Sequence, residues 1–249
     1  MKIENNAVKY HYAWLGASPN KKGVQFVYSS MRNVQQVGYS FKHDLICCVR
    51  DKQIIFSYGD KASEKIEELK LLANKKMPVE ELADLITSVY VKKPNERIHF
   101  IYSNKSQPKN DGVEPKAQKL THNDLDAYLT FYKECNQPYS DMSWLNNYFT
   151  QMVNQEFCHG VFVGNKLVSA ADCPVLPIMS DIVQEIGVST VEKYHKMGYA
   201  KESCRSLIQL LLSKNICPIW STSSDNNSSI ALAKNLGFKF YSTELWLTL

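Results

Sequence analysis

The residues from Glu185 to Leu211 constrain this chain more than any other stretch. Asp181 to Thr190 reads as a strand, and it runs through Glu185-Ile-Gly-Val-Ser-Thr190 into Val-Glu-Lys-Tyr-His195-Lys-Met-Gly198-Tyr-Ala200, where a glycine and a small residue stand at a helix entry. Ala200, Cys204, Leu207 and Leu211 fall on the buried face of that helix. A strand, a short loop and a helix in this order leave the first backbone N–H groups of the helix unpaired, and Gly198 and Ala200 are too small to cover them. The positive end of the helix dipole and the nearby Lys196 make this a ready anion site. The same local pattern also serves as a plain turn, so alone it leaves both uses open.

A second element follows. Ile216 to Thr222 is a short apolar strand, and Asp225-Asn226 offers an N-cap to a helix with Ile230, Ala233 and Leu236 on its apolar side. Gly237 is the expected left-handed stop, and Phe238 to Leu249 closes with a strand around Phe240, Leu245, Trp246 and Leu247. Upstream, Leu120 to Leu125 carries a capping box of Thr121 and Asp124, predicting a helix to about Cys135. Asp141 to Val153 reads as a second helix. Gly160 to Ala170 reads as a hairpin turning at Gly164-Asn165.

Ser103 to Lys119, with Pro108, Gly112 and Pro115 and almost no large apolar side chain, reads as an exposed linker. Before it lie strands at Gly23 to Ser29, Leu45 to Val49, Gln53 to Tyr58 and Ile98 to Tyr102, with helical patterns at Ala62 to Lys76 and Pro78 to Tyr90. The chain of 249 residues therefore divides into an N-terminal α+β domain over 1–114 and a second domain over 115–249.

Together these residues resemble the GNAT superfamily of acyl-CoA-dependent N-acyltransferases. The family loop, [Arg or Gln]-x-x-Gly-x-[Gly or Ala], is matched by His195-Lys-Met-Gly198-Tyr-Ala200 except at its first position. The later pattern, Asn-x-x-[Ala or Ser] and a helix ending in Leu-Gly-Phe, is matched by Asn226 to Ser229 and by Leu236-Gly237-Phe238. The resemblance covers roughly Lys119 to Leu249. The N-terminal half resembles, more loosely, the extra domain of a two-domain bacterial branch through Phe26-Val-Tyr and Ile55-Phe-Ser-Tyr-Gly.

The resemblance implies an α/β (α+β) fold with a mixed, mostly antiparallel central sheet flanked by helices. It implies an N-acetyltransferase using acetyl-CoA, with direct attack by the primary amine of a small-molecule acceptor and no metal. Backbone groups of Val188 and Thr190 would pair with the pantetheine arm. The N–H groups of His195, Lys196, Met197, Gly198, Tyr199 and Ala200 would hold the pyrophosphate. Asn226 would touch the arm near the thiol, and Ser229 fills the small position beside the channel.

Two departures bear on mechanism. His195 replaces a longer donor, and Ala233 stands where many relatives place a tyrosine that protonates the departing thiolate. Water or Ser228 is then left for that proton, or none is needed, since a thiol of pKa near 8.5 is a tolerable leaving anion. The amine must itself lose a proton, and Glu185 is the candidate base, with Asp181 in reserve. Tyr139, Trp144, Tyr148 and Phe149 fit helix-face packing, or an acceptor pocket for an apolar or cationic group. His122 and His159 read as structural or exposed.

A rival class is a non-catalytic CoA-binding sensor or interaction module, motivated by His195 and Ala233. Nucleic-acid binding is disfavoured, because 29 Lys and Arg against 25 Asp and Glu give only +4, and the basic pairs are scattered. The seven cysteines, Cys47, Cys48, Cys135, Cys158, Cys173, Cys204 and Cys217, form no C-x-x-C pair and suit a reducing compartment. No stretch approaches the ~20 apolar residues of a membrane span, and the N-terminus lacks a leader pattern, so the expected place is the cytoplasm. The N-terminal half is left to serve as acceptor cover, packing support or the surface of a homodimer.

Overall fold

The computed structural model describes residues 2–35, 42–103, 116–136, 142–174 and 176–249. Most of the expected linker, Tyr139, the start of the helix expected at Asp141, and the division at 114/115 lie outside them.

The elements begin with α1 (Lys2–Leu15), β1 (Gly23–Tyr28), β2 (Leu45–Arg50), β3 (Gln53–Tyr58), α2 (Asp60–Ser63), α3 (Ile66–Leu72), α4 (Val79–Tyr90) and β4 (Asn95–Tyr102). They continue with β5 (Gln118–Lys119), α5 (Leu125–Cys135), α6 (Leu145–Asn154), β6 (Cys158–Val163), β7 (Lys166–Asp172), β8 (Val183–Glu185) and β9 (Gly187–Thr190). The chain closes with α7 (Tyr199–Ser213), β10 (Cys217–Ser223), α8 (Asn227–Asn235) and β11 (Phe238–Leu247).

A seven-stranded sheet runs β1-β3-β2-β11-β4-β10-β8, and a four-stranded one runs β5-β6-β7-β9. Among the described residues only β1 with β3 and β10 with β8 are parallel, so the sheets are mostly antiparallel, as expected. β4 lies between β10 and β11, pairing Trp220 with Phe100 and Phe238 with Tyr102, while β2 takes the other edge of β11. β4, from before position 114, is thus inserted between two strands from after it, and the N-terminal portion completes the sheet from which the second portion builds its clefts.

Apolar clusters cover the sheets. Cys204, Leu207, Leu211, Ala233 and Leu236 of α7 and α8 pack with Phe100, Trp220 and Phe238. On the other side Ala7, Tyr10 and Trp14 of α1 pack with Ile46, Cys48, Ile55 and Ile219. Leu69, Leu82 and Ile86 of α3 and α4 cover Cys47, Phe56 and Leu245, and Tyr128, Phe131, Phe149 and Met152 of α5 and α6 cover Leu167 and Ala170. Each large apolar side chain so enclosed contributes about 1.5–3 kcal/mol.

One local expectation needs correction. The helix expected over Ala62 to Lys76 is split, because Lys65 leaves helical geometry (φ −120°, ψ 10°) and the Ser63 hydroxyl donates back to the Asp60 carbonyl at 2.5 Å. The polar N-terminus is a helix whose aromatic residues are buried. Among the described residues no helix is long and apolar enough to cross a membrane.

Candidate active site

The clefts originate where one strand changes sheets. β8 runs parallel to β10, pairing Val183 with Cys217 and Glu185 with Ile219, and their last contact is Ile186 N donating to Ile219 O at 3.1 Å. From Gly187 the chain becomes β9 and pairs with β7 instead, while β10 stays with β4. The two strands diverge, and β9 ends its sheet with one edge unpaired by any strand among the described residues.

The register states which groups face that edge. Val191 N donates to Val168 O at 3.0 Å. Bonded pairs alternate in an antiparallel ladder, so residues 187 and 189 bond toward β7, and Val188 and Thr190 turn their backbone groups outward. The Thr190 carbonyl is already engaged, accepting a 2.8 Å bond from His195 Nε2.

Beyond Thr190 a 3-10 turn, Glu192–Tyr194, leads to His195, and Lys196 and Gly198 both take left-handed backbone (φ 61° and 86°) before α7 begins. For Lys196 this conformation costs on the order of 1 kcal/mol or more. No side chain caps the helix, and a Cβ at Gly198 would meet nothing within 4 Å. Unpaired amides at the head of a 15-residue helix thus face open space, a favourable position for negative charge.

That space is a cleft of about 550 Å³. Val188, Thr190, His195, Lys196, Gly198, Tyr199 and Ala200 line one side, and Asn226, Ser228 and Ser229 the other. The structure therefore brings together every expected cofactor residue except Met197, which is exposed and lies outside the lining. Asn226 Oδ1 caps α8 by accepting from Ser229 N at 3.0 Å and from Ser228 Oγ at 2.9 Å. Ser229 Oγ accepts from Trp220 Nε1 at 3.1 Å. Ala233, where the resemblance leads one to expect a tyrosine, is fully buried in the core beneath and lies outside the lining.

A second pocket, of about 340 Å³, shares Val188 with the first. Aromatic side chains of α5 and α6 wall it, and Asp172, at the end of β7, lies within it. Tyr128 Oη donates to Asp172 Oδ2 and Tyr148 Oη to Oδ1, each at 3.0 Å. Burial raises the Asp172 carboxyl to about 6, against the opposing pull of the two hydroxyl donors. Burial also raises both tyrosines, and the neighbouring Asp172 adds to the effect. Sequence reasoning did not single out Asp172. Of the aromatics it weighed, Phe149 is core, whereas Trp144 and Tyr148 also wall this pocket.

Glu185 lies elsewhere. It accepts from the Ser221 hydroxyl, which in turn accepts from Arg97 Nη2 at 2.8 Å, and it walls a small cavity with His11, His99 and Tyr241. Beside that cavity the buried Glu244 meets His11 Nε2 at 3.2 Å, His99 Nε2 at 3.1 Å and Trp246 Nε1 at 2.6 Å. Burial lowers His11 to about 4, so it is neutral near pH 7. These three metal-ligand residue types lie within 4.8 Å of one another, but the carboxylate already has an indole donor. His159 is buried and bonded to Ser206 at 2.7 Å, and His122 is exposed and bonded to Asn154 at 3.0 Å.

Comparison with known proteins gives these clefts a context. A Bacillus subtilis (strain 168) protein described as an uncharacterized N-acetyltransferase, YdfB, is 32% identical over 143 residues, 57% of this chain and 52% of the relative. The match spans about half the length of each. The solved structure of an acetyltransferase from the GNAT family of Colwellia psychrerythraea aligns over 98% of this chain and 96% of its own, at 14% identity and a TM-score of 0.58, a likeness of fold. The family model for GNAT acetyltransferase matches residues 39–243, and a match over that much of the sequence means that this chain belongs to the GNAT acetyltransferase family.

Proposed function

We propose that the protein is an acetyl-CoA-dependent N-acetyltransferase that acts on the primary amine of a small molecule by direct attack. The observation that carries this reading is the cleft between the free edge of β9 and the uncapped start of α7, where an extended amide-bearing arm and a charged pyrophosphate find complementary groups. The residues present fit such a ligand. Val188 offers an outward N–H and C=O, and Thr190 its N–H, to the arm in the manner of an added strand. The amides of the loop and of the first turn of α7, with Lys196 beside them, suit the pyrophosphate. The Asn226 amide nitrogen, its oxygen being occupied by the cap, is left to donate to a carbonyl of the arm.

Acetyl-CoA supplies an activated thioester, whose carbonyl carbon takes the amine nitrogen as the carbon–sulfur bond breaks. With Ala233 buried, the sulfur's proton must come from water, from the amine itself or from Ser228 at the cleft wall. A primary amine of pKa near 10.4 is almost wholly protonated at pH 7, so a carboxylate is needed to take a proton from it. Glu185 is the base expected from sequence, and Asp172 is the other carboxylate on the strands bordering the clefts. Glu185 walls neither cleft, and the geometry favours Asp172. The cytoplasm, with its acetyl-CoA and reduced thiols, is the compartment that suits this reading.

Calorimetry with acetyl-CoA, and thiol release with an amine panel, test the proposal. No cofactor binding at millimolar concentration would sink it. Buried Ala233 also supports a second reading, a cofactor-binding sensor, which would show binding without turnover on any amine.

A further inference from the structure

We propose that the aromatic-walled pocket beside β9 is the acceptor site, and that it takes a compact primary amine carrying a single positive charge, whose ammonium group pairs with Asp172. The proposal rests on the acetyl-transfer reading above and adds the acceptor class.

Asp172 is oriented by two neutral donors, Tyr128 Oη from α5 and Tyr148 Oη from α6, one on each carboxylate oxygen. Each oxygen retains a lone pair, and no Lys, Arg or His forms an ion pair with Asp172 among the described residues. A carboxylate partly withdrawn from water with only hydroxyl partners is under-compensated, and an ammonium ion supplies the missing charge. Access is built in at the opposite strand. Gly187 pairs with Asp172 across the ladder, and a Cβ there would lie 3.1 Å from Asp172 Oδ1, so the absence of a side chain leaves that oxygen open.

The walls suit the rest of such a ligand. Trp144 stands edge to face with Tyr132 and with Tyr148, ring centroids 5.6 and 5.5 Å apart, and these rings offer apolar surface to a hydrocarbon body and π-density to a cation. Asp172 is the one carboxylate among the described lining residues, and no lysine or arginine joins it. One carboxylate matches one ammonium, and a polyamine or aminoglycoside would bring further ammonium groups for which the described lining holds no second anion. The volume of about 340 Å³ sets the limit of size.

Val188 belongs to both clefts, so a nitrogen held at Asp172 would lie across one strand edge from the cleft proposed for the acyl donor. The ammonium gives one proton to the Asp172 carboxylate, and the freed electron pair forms the bond to the acetyl carbonyl carbon. The carbon–sulfur bond breaks with its pair on sulfur, the nitrogen's second proton ends on the thiolate, and Asp172 returns its proton to water. Among the described residues the titratable groups around the carboxylate are Tyr128 and Tyr132 of α5, Tyr148 of α6, Cys158 of β6, the adjoining Cys173 and Cys204 of α7, and burial raises each of them, so that none of these carries charge near pH 7.

The test uses the full chain with acetyl-CoA and 2-phenylethylamine, read by thiol release, by the mass of the N-acetyl product and by calorimetry for each ligand. The expected kcat/KM for 2-phenylethylamine is at least ~10-fold above that for spermidine. Asp172→Asn is expected to lower it by ~100-fold or more, to remove the limb of the pH profile that rises near pH 6, and to leave the acetyl-CoA Kd within about threefold. Trp144→Leu should raise KM about five- to tenfold with kcat little changed. If Asp172→Asn does not fold, Tyr148→Phe, which keeps the carboxylate, should still cost about tenfold. Equal turnover by wild type and Asp172→Asn, or a preference for spermidine, overturns the proposal. A wild type that binds acetyl-CoA and acetylates neither amine overturns the acceptor class and leaves the acetyl-transfer reading standing. A wild type that binds no acetyl-CoA overturns that reading instead, and Asp172-dependent binding of 2-phenylethylamine then decides the pocket assignment.

Discussion

Gly187 and Asp172 face each other across the β9/β7 ladder so closely that a single added methyl group at 187 would press on the carboxylate. Gly187→Ala is therefore expected to lower kcat/KM for the amine about tenfold, because Asp172 must shift or lose an approach path, while the acetyl-CoA Kd stays within about threefold. Overpacking of this size costs roughly 1–3 kcal/mol. Steady-state kinetics beside calorimetry separate the two effects, and an unchanged KM and kcat would show that the oxygen facing Gly187 is not the one used.

The loop before α7, proposed to hold the pyrophosphate, should respond differently at its two ends. Gly198→Glu places a carboxylate in the space that the helix amides face and strains a left-handed position, so acetyl-CoA binding should fall by more than ~100-fold. His195→Ala removes one hydrogen bond to the Thr190 carbonyl, worth about 1 kcal/mol, and should weaken acetyl-CoA about fivefold. Titration of both variants by calorimetry checks the ranking.

Acid should destabilise the fold in two stages. Burial lowers His11 to about 4, so as pH falls below 6.5 the unfolded chain gains a proton that the folded one refuses, and stability declines. Burial alone would raise Glu244, but His99 and His11, with hydrogen bonds from His99 and Trp246, outweigh it and hold the carboxyl well below its usual range. Its contribution is present above an ordinary glutamate pKa of about 4.3 and is lost as pH falls below that value. Thermal melts from pH 7.5 to 3 should show Tm falling from about pH 6.5 downward. Glu244→Gln should lower Tm at pH 7 and flatten the curve below about pH 4.

Separating the two portions of the chain should fail. A fragment of residues 116–249 leaves β10 and β11 without the strand that joins them, and exposes Trp220 and Phe238, the partners of Phe100 and Tyr102. It should be insoluble or melt without cooperativity, and co-expression with residues 1–103 should restore soluble material. A fragment that melts cooperatively alone would show that β4 is dispensable.

Much of the local geometry around the cleft at the start of α7 was legible because its signals are local. The Thr121 and Asp124 capping box forms, with Thr121 N donating to Asp124 Oδ2 at 2.7 Å, Asn226 caps α8, and Gly198 and Gly237 take the positive φ that their positions demand. Asp172 was illegible because nothing beside it in sequence marks it. It closes a hairpin strand as an ordinary polar residue, and its environment arises only when two tyrosines from separate helices close over it. The stripe Trp144, Tyr148 and Phe149 fits core spacing whether one side of it is buried or borders a pocket. α1 was missed since its Asn, His and Tyr residues are weak helix formers, and packing against the sheet overrides propensity. The place of β4 is a non-local pairing that no window of sequence contains.

That pairing also fixes an order of events. During synthesis β4 emerges with neither neighbour in existence, and it must wait while the helices α5, α6 and α7 and the strands β5 to β9 are made before β10 and then β11 arrive to enclose Phe100 and Tyr102. Loop closure over so long a separation is slow, and an apolar strand kept waiting invites the wrong partner. The first half of this protein is thus a client of its own second half, and its yield in a cell should depend on how well that interval is chaperoned.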